Sequence, residues 1–201
     1  IHYNVKSTFT VPENYTRDYY IFNNTWNIVS TDSSDWGMGL SLNPGYTSTV
    51  GKTGNIVLEP NVTPVQYTVS YDSDGGSLIT DDSVKTYNIE STHSLPSSMR
   101  EGYSFIGWTV VSTDDAKWEA GKAYSAGYKF TGMHGNVSLK AKWETLTSTV
   151  TLNLGAGESI VGNTVLTYAY SSSLALNTPV KKGYTFKGWR VTAAPGSGNT
   201  W

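Results

Sequence analysis

Arg100-Glu101-Gly102-Tyr103-Ser104-Phe105-Ile106-Gly107-Trp108 returns 81 residues later as Lys181-Lys182-Gly183-Tyr184-Thr185-Phe186-Lys187-Gly188-Trp189. The landmarks around each copy keep their order. Thr86-Tyr87-Asn88-Ile89 stands before the first and Thr167-Tyr168-Ala169-Tyr170 before the second, and a further tryptophan follows each, Trp118 or Trp201. A worn version opens the chain: His2-Tyr3-Asn4-Val5, Val11-Pro12, Arg17-Asp18, Tyr20-Ile21-Phe22, Trp26 and Trp36. Ordered self-similarity of this kind is the mark of a tandem array. Registering the copies divides the chain into a first repeat at 1–65 without an opening strand, a complete repeat at 66–144, and a third at 145–201 that stops after its second tryptophan.

Within the repeat the apolar period is two, which means strands. Tyr67, Val69 and Tyr71 alternate with Thr68 and Ser70, and Val137, Leu139, Ala141 and Trp143 alternate with Ser138, Lys140 and Lys142. Asp74-Gly75-Gly76 supplies turn residues with freedom for positive φ. Tyr87 and Ile89 flank Asn88 on a second strand. Tyr103 and Phe105 share one parity, whereas Trp108 and Val110 lie on the other. A glycine at that change, Gly107, points to a bulge that turns the tryptophan inward. The spacing predicts one short helix over Ser97–Glu101, between Pro96 and Gly102. It also predicts a core of Tyr71, Phe105, Trp108, Leu139 and Trp143. Pro60–Gln66 and Glu144–Ser148 read as short, stiff linkers.

Composition agrees and excludes much else. The 201 residues contain 24 serines, 26 threonines, 14 tyrosines, 7 tryptophans and no cysteine. Such a profile suits half-buried strands, and the aromatic content argues against disorder. Without cysteine there is neither a disulfide framework nor a thiolate site. A net charge of -2 and a pI near 5.9 lack the basic footprint of a nucleic-acid binder. No apolar run reaches the ~18–20 residues of a membrane span. His2, His93 and His134 share no metal-ligand spacing, and Asp72-Ser73-Asp74-Gly75-Gly76 lacks the glutamate a calcium loop needs, so no metal or cofactor is expected. There is no nucleophile elbow, phosphate loop or glycosidase cleft, and the reading is non-enzymatic. Lys181, Lys182, Lys187 and Arg190 make the third repeat basic, which reads as a solvated face.

Tyr67–Gly76, Arg100–Trp108, Leu139–Trp143 and Val150–Trp189 together resemble the Listeria–Bacteroides repeat, the internalin B-type B repeat of bacterial surface proteins. The first repeat departs from that pattern, with Tyr19 where the others have glycine and Thr25-Trp26 where they have Gly-Trp. The resemblance implies a β-rich α+β fold of tandem β-grasp-like (ubiquitin-like) repeats, each a small mixed sheet with at most one short helix. It also implies an extracellular, cell-surface-attached location, with neighbouring repeats as partners and no membrane insertion within the segment.

Three functional expectations follow. The leading one is an extended stalk or spacer. A second is an adhesive module that holds a host protein or a glycan through exposed aromatics at Trp36, Trp118 and Trp201, which stand among polar loop residues. A third is a structural segment of an assembled extracellular fibre or surface layer.

Overall fold

The computed structural model describes residues 8–78, 84–155 and 159–192. The chain forms two compact units. One holds the chain up to Ser98 together with Ile106–Lys142, the other Met99–Phe105 with the chain from Trp143 onward. The first two repeats therefore share a unit, and the division does not follow the repeat boundaries.

The middle repeat is built on a five-stranded sheet in the order Ala123–Tyr124, Tyr103–Thr113, Val137–Thr145, Tyr67–Asp72, Val84–Tyr87. The closing strand (Val137–Thr145) lies parallel to the opening strand (Tyr67–Asp72), with Val137 opposite Val69 and Leu139 opposite Tyr71. The opening strand pairs antiparallel with Val84–Tyr87. The sheet is thus mixed, as the β-grasp-like reading requires. Helix is confined, among the described residues, to one 3-10 turn at Ala116–Trp118.

The alternation read from the sequence is the burial pattern of these strands. Val69 and Tyr71 are buried between exposed Thr68 and Asp72, and Val137, Leu139 and Ala141 are buried beside exposed Lys140 and Lys142. Along Tyr103–Thr113 the parity changes at Gly107: Ser104 and Ile106 are exposed, then Gly107 and Trp108 are both buried. Gly107 has φ 143°, and a Cβ there would run into the Tyr124 carbonyl oxygen. The bulge needs glycine for both reasons. Trp108 is fully buried and donates its Nε1–H to the Pro96 carbonyl at 2.7 Å.

Several expectations are corrected. Phe105 and Trp143 are only half-buried; their rings pack on each other, centroids 5.1 Å apart, in the second unit. Phe105 precedes the parity change, and Trp143 lies past Lys140, where pairing with the opening strand stops. The segment Ser97–Glu101 is not a helix. Ser98–Met99 forms a short strand, Ser98 Oγ donates to the Ser77 carbonyl, and Leu95 is bonded through both backbone groups to Tyr128 and Gly127. Long-range bonds hold the segment extended, and five residues are too few to nucleate a helix against them. The second strand ends at Tyr87, and Ile89 falls in the turn that follows. The linkers are strand as well. Ile56–Pro64 stops two residues before the opening strand Tyr67–Asp72, and only Leu146 separates Val137–Thr145 from Thr147–Thr151.

The first repeat keeps part of this sheet, in the order Ser41–Leu42, Tyr20–Thr31, Ile56–Pro64. Its core is Phe9, Val11, Trp26, Ile28, Trp36, Leu42 and Ile56. The third keeps the other side. Thr147–Thr151 pairs with Val165–Ala169, Ser148 facing Tyr168 as Tyr67 faces Tyr87 in the middle repeat. Tyr184–Trp189 forms no strand, and Tyr184 is 73% exposed.

Candidate binding surface

The tryptophans expected to form an exposed face turn inward. Trp118 is fully buried. Its ring packs edge-on against Phe130 and Tyr124, with centroids 5.0 and 5.8 Å away. Its Nε1–H donates to the Tyr87 hydroxyl at 2.7 Å, and that hydroxyl donates to the Gly135 carbonyl. Burial pushes the Tyr87 phenol up to about 12, against the opposing pull of the Trp118 bond. Trp36 is 3% exposed; Phe9 packs on it, and Lys52 Nζ stands 4.3 Å from its ring centroid. Trp201 lies outside the described residues. Polar neighbours made these positions look like open loop. In the middle repeat those neighbours line the water side of the 3-10 turn, where Asp115 caps the Lys117 N–H at 2.8 Å while the tryptophan fills the core side.

The turn is fastened by a clamp that occurs in both of the first two repeats. Asn136 donates its backbone N–H to Asp114 Oδ1 at 2.6 Å and its side-chain Nδ2–H to Asp114 Oδ2 at 2.7 Å. Asn55 and Asp32 repeat the pair at 2.6 and 2.7 Å. The Asn55 backbone bond, followed by its side-chain bond, holds the Asp32 carboxyl below the ordinary aspartate value. Asn136 Oδ1 accepts from Thr68 N–H and Oγ, and Ser70 Oγ meets Ser138 Oγ at 3.0 Å. These groups line a groove of about 300 Å³. The Thr68, Ser70, Asp114, Asn136 and Ser138 side chains that line it are engaged with one another, as a structural seam requires.

A second recurrence sits at the turn before each tryptophan-bearing segment. The Tyr20, Tyr103 and Tyr184 N–H groups donate to the Arg17, Arg100 and Lys181 carbonyls, all at 3.1 Å. The third residue of each turn is left-handed: Tyr19 (φ 67°), Gly102 (φ 77°) and Gly183 (φ 80°). A type II turn requires this, and it explains why glycine stands there in two repeats. The cation then folds over the aromatic ring, at 3.8 Å for Arg17 on Tyr20, 4.1 Å for Arg100 on Tyr103 and 4.8 Å for Lys181 on Tyr184. The sequence signal for this corner is a cation three residues before a tyrosine in every copy.

No reactive constellation accompanies these contacts. His134 pairs with Asp115 and stacks on Tyr19 with centroids 4.0 Å apart, while His93 packs against Phe130. Among the described residues no three metal-ligating side chains come together. Lys182, Lys187 and Arg190 are exposed. Also among the described residues, no helix is long and apolar enough to cross a membrane.

Small strand-built units, restated along one chain by the same clamps, corners and inward tryptophans, define a structural repeat module. The chain belongs to the Listeria–Bacteroides repeat family, whose description it matches over residues 67–142 and 149–201. That family makes it a non-enzymatic repeat segment of a bacterial surface protein, outside the cell. It is similar to two proteins of Evansella cellulosilytica. One carries the name Gly-rich membrane protein and is 28% identical over 92% of this chain; the other carries the name membrane protein and is 28% identical over 68% of it. The chain spans about a fifth (19%) of the length of either relative. No solved structure matches it.

Proposed function

We propose that the segment is a spacer, formed by a degenerate repeat at 1–65, a complete one at 66–144 and a third at 145–201, whose task is to hold other parts of its parent protein away from the cell. The supporting observation is the want of slack between repeats. Two residues separate Ile56–Pro64 from Tyr67–Asp72, and one separates Val137–Thr145 from Thr147–Thr151. The inward tryptophans favour this reading over glycan stacking, since both described candidates are spent on packing. Small-angle scattering on chains carrying increasing numbers of the complete repeat tests it. A spacer lengthens by roughly 30 Å per repeat added, from the size of an ~80-residue globule. A radius growing only as the cube root of mass overturns the proposal.

A further inference from the structure

The corner ahead of a tryptophan segment also receives the repeat that follows. Val65 donates its N–H to the Tyr19 carbonyl at 2.9 Å, and its counterpart Leu146 donates to the Gly102 carbonyl at 2.8 Å. Beside each corner lies the turn that closes the second strand of the incoming repeat. These turns match, since the Ser91 N–H donates to the Asn88 carbonyl at 3.0 Å and the Ser172 N–H to the Ala169 carbonyl at 3.1 Å. At the first joint the Tyr20 hydroxyl donates to the Glu90 carboxylate at 2.7 Å. At the second, Tyr103 meets Tyr170 edge-on, with centroids 6.1 Å apart.

The two corners differ at their left-handed residue. Gly102 is roofed by Tyr170, and a Cβ at 102 would fall inside that ring. Tyr19 brings a ring of its own. It stacks on His134 of the middle repeat, centroids 4.0 Å and planes 21° apart, and Asp115 holds His134 in place. The position that matches Tyr170 is then aliphatic, the half-buried Ile89. One ring serves each joint, given by the upstream repeat in the first and by the downstream repeat in the second.

Tyr19 holds its place against the backbone. Its φ of 67° is a conformation that glycine takes freely and a bulky side chain resists. A strained residue persists where its surroundings over-determine it, and the His134 stack is a contact that glycine could not make.

We propose that the left-handed corner residue and the matched residue in the next repeat's turn, Tyr19 with Ile89 and Gly102 with Tyr170, form a complementary pair that selects which repeat can follow which. A ring at one position requires a smaller residue at the other. Two rings collide, because Tyr170 already occupies the space that a side chain at 102 would need. Two small residues leave the corner bare. Such a code works by rejecting the wrong neighbour as well as by holding the right one. In an array whose repeats touch only their neighbours, it fixes their order. The corner is therefore an interaction surface whose partner is another repeat of the same pattern. This goes beyond the spacer reading and does not rest on it.

Residue-resolved amide exchange on the whole chain tests the code at the two linking bonds. Tyr19→Gly removes the backbone strain and the stack together. The turn N–H at Tyr20 is expected to exchange more slowly, while the Val65 N–H exchanges at least about threefold faster for want of the aromatic contact. A tyrosine that had merely drifted from glycine would give slower exchange at both. Gly102→Tyr is expected to speed exchange of the Leu146 and Tyr170 N–H groups by about tenfold or more. Adding Tyr170→Ile, the combination used at the first joint, is expected to return both to within about threefold of the unaltered chain. Unchanged exchange across Val137–Ala141 is the folding check. A Val65 N–H that slows or does not change after Tyr19→Gly overturns the proposal, as does a Gly102→Tyr, Tyr170→Ile chain no better protected than Gly102→Tyr alone.

Discussion

The segments Arg100–Trp108 and Lys181–Trp189 carry nearly the same residues and reach very different states. In both, the turn closes through the same backbone bond, a glycine takes positive φ, a cation covers the tyrosine, and the tryptophan Nε1–H donates to a carbonyl twelve residues upstream, Pro96 or Asn177. Yet Trp108 is fully buried in a five-stranded sheet, whereas Trp189 is half-buried and its segment forms no strand. The local geometry belongs to the motif; burial belongs to the sheet. Trp108 packs on Tyr71 of the opening strand, ring centroids 4.9 Å apart, inside that sheet, whereas Trp189 meets Phe186 of its own segment at 5.3 Å.

The difference is largest for the tryptophans themselves. Trp108→Ala is expected to cost about 3–5 kcal/mol, the usual range for emptying an aromatic site in a closed core. Trp189→Ala removes a ring that already meets water and should cost under about 1 kcal/mol. Denaturant titration followed by residue-resolved amide exchange reads the two repeats separately. Equal losses would break the contrast, since they would mean that the third repeat has a core of its own.

The glycines at the parity change come next. Gly107 and Gly188 share a positive φ, 143° and 134°. Any side chain there is strained by about 1 kcal/mol. Only at Gly107 does a Cβ also meet backbone, the Tyr124 carbonyl; around Gly188 the space is open. Gly107→Ala is therefore expected to cost about 2–4 kcal/mol and Gly188→Ala about 1 kcal/mol. Thermal melts of the two variants, compared with the parent, measure the gap. A mild Gly107 variant would mean that Tyr124 yields easily, and that the bulge contributes less to seating Trp108 than its geometry indicates.

What was legible before the structure divides along the same line. Period-two patterns at Tyr67–Tyr71 and Val137–Ala141, and the parity change at Gly107, state which face of a strand is apolar, and the fold obeys them. Properties fixed by distant partners were not legible. Ser97–Glu101 has the proline and glycine of a short helix, but Ser77 reaches Ser98 across the chain, and Tyr128 and Gly127 hold Leu95 just before it, so the stretch is drawn out. Trp118 sits among Asp114, Asp115, Lys117 and Glu119, and a linear reading cannot tell that these polar residues form one side of a turn whose other side is core. The prolines at 60 and 64 read as a linker because proline is rare inside sheets; among the described residues the strand that holds them is an edge of its sheet, where a missing N–H costs little.

Two phenols extend the contrast into alkaline solution. Burial pushes Tyr71 and Tyr87 up to about 12 in the middle repeat. A phenol raised in the folded state lends stability that is complete below pH 10, its ordinary value, and is lost as pH climbs through about 12. The melting temperature should therefore hold steady to pH 10 on the phenols' account and fall between 10 and 12. Tyr87→Phe should blunt that fall, although it leaves the Trp118 Nε1–H without its acceptor. A fall that begins well below pH 10 would show that some other group governs the alkaline limit.

The smallest effect tests the half of the comparison that predicts sameness. If the corner before each tryptophan is a local device, its energy should not depend on whether a sheet forms beyond it. Arg100 lies 4.1 Å from the Tyr103 centroid, both half-buried, and Lys181 lies 4.8 Å from the Tyr184 centroid, both exposed. Contacts of this kind that water reaches are worth about 0.5–1 kcal/mol. Arg100→Leu and Lys181→Leu keep an apolar stem over the ring and remove the charge, and each is expected to speed exchange of the turn N–H, at Tyr103 or Tyr184, by about threefold, which corresponds to the lower end of that range. Combining each change with Tyr→Leu at the ring isolates the pair itself. Matching coupling energies in the two repeats would show that the motif folds its own corner with or without a core behind it. A coupling present at Arg100 and absent at Lys181 would mean the corner is held in shape by the sheet, and the division between motif and sheet would have to move one turn toward the N-terminus.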